Sequence, residues 1–222
     1  MATVSDVREQ LVEAGMRVLE RDGMAALSAR KLAAETGTST MAVYTHFGGM
    51  TGLIDAIAGE AFVRFTAALT EVEQTDDPVA DFFVMGVRYR EFALANPQRY
   101  QMMFGTSADS LDRHHADLTV TGSASDRAEF AVSFEALLEV VRRMIGAGRI
   151  RDDGASVVAG RLWCITHGAV LLEIAGFFGH EGHGVTEILA PITVDVLVGM
   201  GDDRKRTNQS LTEAVTRIGD RI

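Results

Sequence analysis

The 222-residue sequence holds one cysteine, one tryptophan and three prolines, and each scarcity removes a class of protein. Cys164 alone cannot close an intrachain disulfide or build a cysteine metal site, which fits a reducing cytoplasm. Pro78, Pro97 and Pro191 leave long proline-free stretches, and none shows the sustained apolar–polar alternation of a strand. No uninterrupted apolar run is long enough to span a bilayer. The start, MATVSDVREQ, lacks the basic segment and apolar block of a signal peptide. Glycine-rich phosphate loops, nucleophile elbows and internal repeats are also missing. These absences predict a cytoplasmic, all-α chain with no membrane association, no enzymatic activity and no cofactor.

The hydrophobic share of 47% and the charged share of 23% are those of a globular protein. A net charge of -10 argues against coating nucleic acid by bulk attraction, but the charge is uneven. Residues 1–50 carry 5 of the 21 Lys and Arg and 6 of the 31 Asp and Glu, a balance of -1, which leaves -9 for the remainder. Any contact with DNA must therefore be local and geometric.

The recurring period is helical. Val7, Leu11, Ala14 and Val18 lie on one face of a helix that Gly23 ends. Ser28 is placed to cap a helix through Glu35, and Gly37 supplies a turn. A third helix spans about Thr40–Phe47, and a longer one runs from Met50 towards Val72 with Leu53, Ile57, Ala61 and Phe65 inward. Asp76, Asp77 and Pro78 start the next helix, and Asn96 and Pro97 break it. A short helix covers Pro97–Phe104, and Thr106–Ser125 reads as the longest loop. Asp126 would cap a helix to about Ile145. Asp152 or Asp153 precedes the most apolar helix, through about Phe178, and Val185–Met200 forms the last main one. The polar segment after it reads as a peripheral helix or a mobile tail. The expected division is residues 1–49, then 50–203 with 50–72 as a connecting helix, then the tail 204–222.

Setting Ala29 first puts Ala33 fifth, Gly37 ninth and Val43 fifteenth, where a helix-turn-helix needs a small residue, a glycine turn and a branched apolar anchor. Leu32, Ala33, Val43 and Phe47 then point inward. Thr38, Ser39 and Thr40 open the second helix, and Tyr44, Thr45 and His46 follow on its outer side.

The stretch LSARKLAAETGTSTMAVYTHFGGMTGL resembles the DNA-binding segment of the TetR family of bacterial repressors. The resemblance implies an N-terminal three-helix DNA-binding domain and a larger helical body that dimerises and binds an effector. It assigns Ser28 and Arg30 to the helix against the DNA backbone, Thr38, Ser39, Thr40, Met41, Tyr44 and Thr45 to recognition, and His46 to a phosphate-facing end. The chain departs from the family where Met50 stands in place of a lysine, and where Thr51 and Gly52 stand in place of acidic residues. Backbone amides after Gly48 and Gly49 are the neutral substitute for the missing charge.

Further along, WCITHGAVLLE and NPQRYQMMF resemble TetR-type regulators whose C-terminal domain carries a Trp-His-Gly signature, matched by Trp163, His167 and Gly168. Trp163, His167, Val170, Ile174 and Phe177 form one stripe within about 40 degrees of a line, in which a histidine is more often a bonded core residue than a ligand contact. Cys164 beside it reads as buried filler. Phe83, Val87, Met103, Phe104, Phe134, Leu137, Val141, Trp163, His167 and Val170 are the candidate effector lining, suited to an apolar or aromatic small molecule. Leu171, Leu172, Phe178, Ile188, Ile192 and Val196 are the candidate dimer face. His114 and His115, with Asp112 and Asp117, and His180 and His183, with Glu181, lack metal-ligand spacing and read as solvated. The expected function is a homodimeric, ligand-responsive repressor released from a palindromic DNA operator. The alternative is a helical small-molecule-binding protein or enzyme with a degenerate helix-turn-helix.

Overall fold

A computed structural model of the chain describes residues 4–71, 73–104, 116–179 and 182–219, and these are helical with no strand among them. They form α1 (Val4–Asp22), a 3-10 turn (Met24–Ala26), α2 (Ala29–Thr36), α3 (Thr40–Phe47), α4 (Met50–Thr70), α5 (Pro78–Ala95) and α6 (Pro97–Phe104). There follow α7 (Leu118–Thr121), α8 (Ala128–Gly146), α9 (Ala155–Ile174), a π turn (Val185–Leu189), α10 (Ala190–Gly199) and α11 (Arg204–Ile218).

Two compact units divide the chain, one reaching Arg64 and adding α6, the other starting at Phe65 within α4 and holding α5 and α7–α11. This differs from a break at residue 49, because α6 joins the first unit: Arg99 pairs with Glu20, and Tyr100 and Met103 are fully buried. Around them, Leu11, Ala14 and Val18 of α1, Leu32 of α2, Val43 of α3 and Leu53 and Ile57 of α4 are each 0% exposed, the face that helical spacing picks out. Phe47 is only half-buried, and the guanidinium of Arg8 lies 5.3 Å from its ring centre.

In the second unit, α8 packs along α9, and Val141, Val158, Leu162, Val170 and Leu197 fill the core. By length and hydropathy α9 could cross a membrane; here its Leu162 and Val170 lie in a protein core. The start of α5 is set as its residues require: the Asp77 Oδ1 accepts from the amides of Val79 and Ala80 at 3.0 and 3.2 Å. By contrast α8 begins at Ala128, not on Asp126, since the Ser125 hydroxyl takes the Arg127 amide at 3.1 Å. The apolar helix stops at Ile174, and Gly176 at φ 85 turns the chain out of helical phase. Phe177 therefore leaves the inner stripe and is 76% exposed. Cys164 is exposed, one residue round α9 from Trp163 and its inward stripe.

The segment after residue 203 is neither loose nor peripheral. Asp203 caps α11 through the Arg206 amide at 2.9 Å, and Thr207, Ser210 and Ala214 are buried. Its anchor is polar. Arg149, 3% exposed, donates to both Asp202 oxygens at 2.8 Å, to Asp77 at 2.7 Å and to Ser210 at 3.0 Å. Asp81, 1% exposed, accepts from Arg217 at 2.8 Å and from the Thr75 amide at 3.0 Å, and forms an ion pair with Arg143 at 2.8 Å. Burial pushes Asp77, Asp81 and Asp202 up, but these donors outweigh it and hold all three below the ordinary carboxylate range.

Candidate functional site

The turn between α2 and α3 is built from the sequence pattern. Gly37 takes φ 66, a left-handed conformation open to glycine, and its amide returns to Ala33. Ser28 caps α2 by accepting the Lys31 amide at 3.3 Å. Val43 then points fully inward, while Met41 is 66% and Tyr44 57% exposed. Ser28, Arg30, Ser39, Thr40 and Thr45 are exposed, and Thr38 and His46 are half-buried.

The hydroxyls are not equivalent. Thr45 donates to the Met41 carbonyl at 3.0 Å, and Thr38 shares a 2.8 Å hydrogen bond with Thr36. Ser39 sits at the N-cap of α3 but makes no side-chain cap bond, so its hydroxyl stays available at the helix start. Charges nearby are similarly sorted. Arg21 bonds Asp22 and Glu35, and Lys31 pairs with Asp22, which the Arg21 and Lys31 hydrogen bonds pull down to about 2. Arg30 makes no ion pair among the described residues, leaving its guanidinium to solvent.

Between α3 and α4, Gly48 and Gly49 take φ 72 and 134, and Met50 is half-buried at the first position of α4. A Cβ on Gly49 would lie 3.8 Å from the Tyr44 ring, so the ring rests beside this turn. A Cβ on Gly52 would lie 2.0 Å from the Phe47 carbonyl oxygen. Backbone meets backbone there, which leaves room for glycine and not for a side chain.

In the second unit, the two signature residues of α9 converge on α5. Trp163 Nε1 donates to the Tyr89 hydroxyl at 3.2 Å, and that hydroxyl lies 3.0 Å from His167 Nδ1. The Tyr89 oxygen thus accepts from Trp163 and shares a second hydrogen bond with the His167 ring nitrogen. Burial lowers the His167 pKa and keeps the ring neutral. One partner of this core histidine is thus a tyrosine hydroxyl. Phe134 packs on Trp163 at 5.9 Å and Phe65 on Tyr89 at 5.0 Å.

A separate apolar groove of about 240 Å³ lies between α5, α9, the π turn with α10, and α11. Of the candidate lining, Phe83 and Val87 face it. Phe134, Trp163 and His167 belong to the Tyr89 cluster, Val141 and Val170 are fully buried, and Leu137 is half-buried on α8. Met103 and Phe104 are in α6 of the first unit. Missed were Gly86, Arg90 and Thr166, and the α11 wall of Leu211, Ala214, Val215 and Ile218.

Leu171, Leu172, Ile188 and Ile192 are 38–45% exposed, and Val196 is half-buried. Phe178 turns instead onto Gly184, where a Cβ would come within 2.6 Å of its ring. No group of three His, Cys, Asp or Glu among the described residues is placed to hold a metal. The expectations for Asp112, His114, His115, His180 and Glu181 lie outside the described residues.

Two sequence profiles match the chain: that of the bacterial regulatory proteins of the tetR family over residues 11–57, and that of the tetracyclin repressor-like C-terminal domain over residues 82–196. An uncharacterized HTH-type transcriptional regulator of Mycobacterium tuberculosis, Rv0681, is 25% identical over 172 residues, 76% of this chain and 71% of that protein. A protein of unknown function from Rhodococcus sp. RHA1 superposes with a TM-score of 0.67 at 27% identity, over 88% of this chain and 96% of that one. A TetR-family transcriptional regulator from Pectobacterium atrosepticum shares the fold, with a TM-score of 0.64 at 20% identity over 89% and 95% of the two chains.

Proposed function

The chain belongs to the TetR family of bacterial transcriptional regulators, and from that premise we propose that it is a cytoplasmic, homodimeric repressor, released from a palindromic DNA operator by a small apolar molecule. The observation that carries the DNA reading is the outer face of α3, where Met41 and Tyr44 stand in solvent beside the uncommitted Ser39 hydroxyl while Val43 anchors the helix. In this reading α3 enters the major groove, and two copies meet half-sites about 34 Å apart. Thr40, Thr45 and Thr38 flank the contact, and Ser28, Arg30 and His46 face phosphates. Dimerisation is supported by the exposed apolar run of Leu171, Leu172, Ile188 and Ile192, joined by Phe177. The groove over Phe83 and Val87 is the effector site, and by linkage effector and operator weaken each other's binding.

A mobility-shift titration against DNA flanking its own gene tests the reading. Sequence-specific binding is expected, and Tyr44→Ala should weaken it about 10- to 100-fold, the range of one good base contact. No shift even at low salt would leave a helical small-molecule-binding protein as the better description.

The missing lysine has its own measurable consequence. If amides after Gly49 meet the phosphate that a lysine meets elsewhere, Met50→Lys adds an ionic contact and should steepen the log affinity against log salt slope by about 0.9. An unchanged slope would show that position 50 does not face the DNA.

A further inference from the structure

The groove has one charged residue in its lining, Arg90, and three threonines, of which Thr186 and Thr193 give their hydroxyls to the carbonyls of His183 and Leu189 at 3.4 and 2.7 Å, leaving Thr166. Arg90 donates Nε and Nη2 to the two oxygens of Glu173 at 2.8 and 2.6 Å. This side-on pairing leaves Nη1 with no acceptor among the described residues. Thr166 is 8% exposed, lines the same groove and has no hydrogen-bond partner among the described residues. The molecule shows elsewhere what such an arginine accepts: Arg149 holds Asp202 through Nε and Nη2 in the same way, and gives its Nη1 to a second carboxylate, Asp77, at 2.7 Å.

Apart from Arg90 and the threonines the lining is apolar, with Phe82, Phe83 and Val87 on one side and Ile218 on the other. Gly86, one turn before Arg90 in the interior of α5, lines the groove, and a Cβ built there meets nothing within 4 Å. A helical glycine that no neighbour requires is less favourable than alanine, and here it keeps floor space in the groove open.

Resting on the reading that this groove takes a small-molecule effector, we propose that the effector is an amphipathic monocarboxylate, its carboxylate held by Arg90 Nη1 and the Thr166 hydroxyl and its apolar body lying over Gly86 against α11. Glu173 holds Arg90 in place through its two hydrogen bonds, so it positions rather than binds.

Calorimetric titration of the full chain with octanoate and with 1-octanol at neutral pH separates head from tail. Octanoate should bind at least ~10-fold more tightly, the difference that a charge-assisted hydrogen bond supplies. The double variant Arg90→Met/Glu173→Met removes the pair without leaving a buried unpaired charge, and circular dichroism checks that it folds. In it octanol binding should persist while the preference for octanoate falls to about one-fold, and Thr166→Val should weaken octanoate alone. Gly86→Leu should abolish both by filling the groove. Equal affinities in the wild type, or a preference that survives the double replacement, would overturn the carboxylate assignment and leave the groove as an apolar site. Failure of both ligands to bind the wild type overturns the assignment and the groove reading together.

Discussion

Arg149→Ala should lower the free energy of unfolding by about 3–5 kcal/mol, the cost of removing one partner from a buried ion pair. The side chain is 3% exposed and Asp202 is fully buried at the side chain, so solvent cannot replace what is removed. Three segments lose their common partner: the cap of α5 at Asp77, the turn before α11 at Asp202, and α11 itself at Ser210. Lysine cannot substitute, because one ammonium does not reproduce a fork that meets two carboxylates at once. Denaturant melts of wild type and variant at pH 7 measure the loss, and a change below about 1 kcal/mol would place the pair among surface bridges of little worth. Acid resolves the same network. Asp77, Asp81 and Asp202 have folded values depressed below 3.8, so their contribution is present above that unfolded value and is lost as pH falls through the folded ones. Without Arg149, Asp202 keeps the burial that pushes it up and loses its main counter-ion, so acid unfolding should begin at higher pH in the variant.

That network also explains which parts of the structure were legible in the sequence. Helices α2 and α3 are short-range objects, fixed by a serine cap, a glycine turn and inward residues within twenty positions, and they fall where spacing puts them. For the last segment, which is polar, composition alone leaves a peripheral helix and a mobile tail both open, and the structure shows a helix. Its signal was nonetheless present: Leu211, Ala214, Val215 and Ile218 recur at helical spacing, and all four face the groove. The placement of Phe177 failed for the opposite reason, since the period was extended three residues past Ile174, where the helix ends before Gly176 turns the chain. Tyr89 had no local mark. Its role as the shared partner of Trp163 and His167 depends on α5 meeting α9 across more than seventy residues, which no spacing rule encodes.

Gly52→Ala should do to DNA recognition what Arg149→Ala does to the body. In most helices this exchange stabilises, by up to about 1 kcal/mol. Here the added Cβ would sit 2.0 Å from the Phe47 carbonyl oxygen and 3.1 Å from its carbon. Neither is the free end of a side chain, so α3 and the first turn of α4 must separate. Leu53, the next residue, is fully buried, which leaves α4 little room to slide. Destabilisation of about 1–3 kcal/mol is expected, as for other overpacked sites. The larger effect falls on α3, whose C-terminal residues Tyr44 and Phe47 would shift with the turn, so operator affinity should fall by at least ~10-fold. Thr51→Ala, one residue earlier and exposed, is the matched control and should stay within about 0.5 kcal/mol of wild type. Thermal melts and mobility shifts on the three proteins decide the matter. A Gly52→Ala protein that melts higher than wild type and binds its operator normally would show that the contact yields without cost, and that glycine at this junction is incidental.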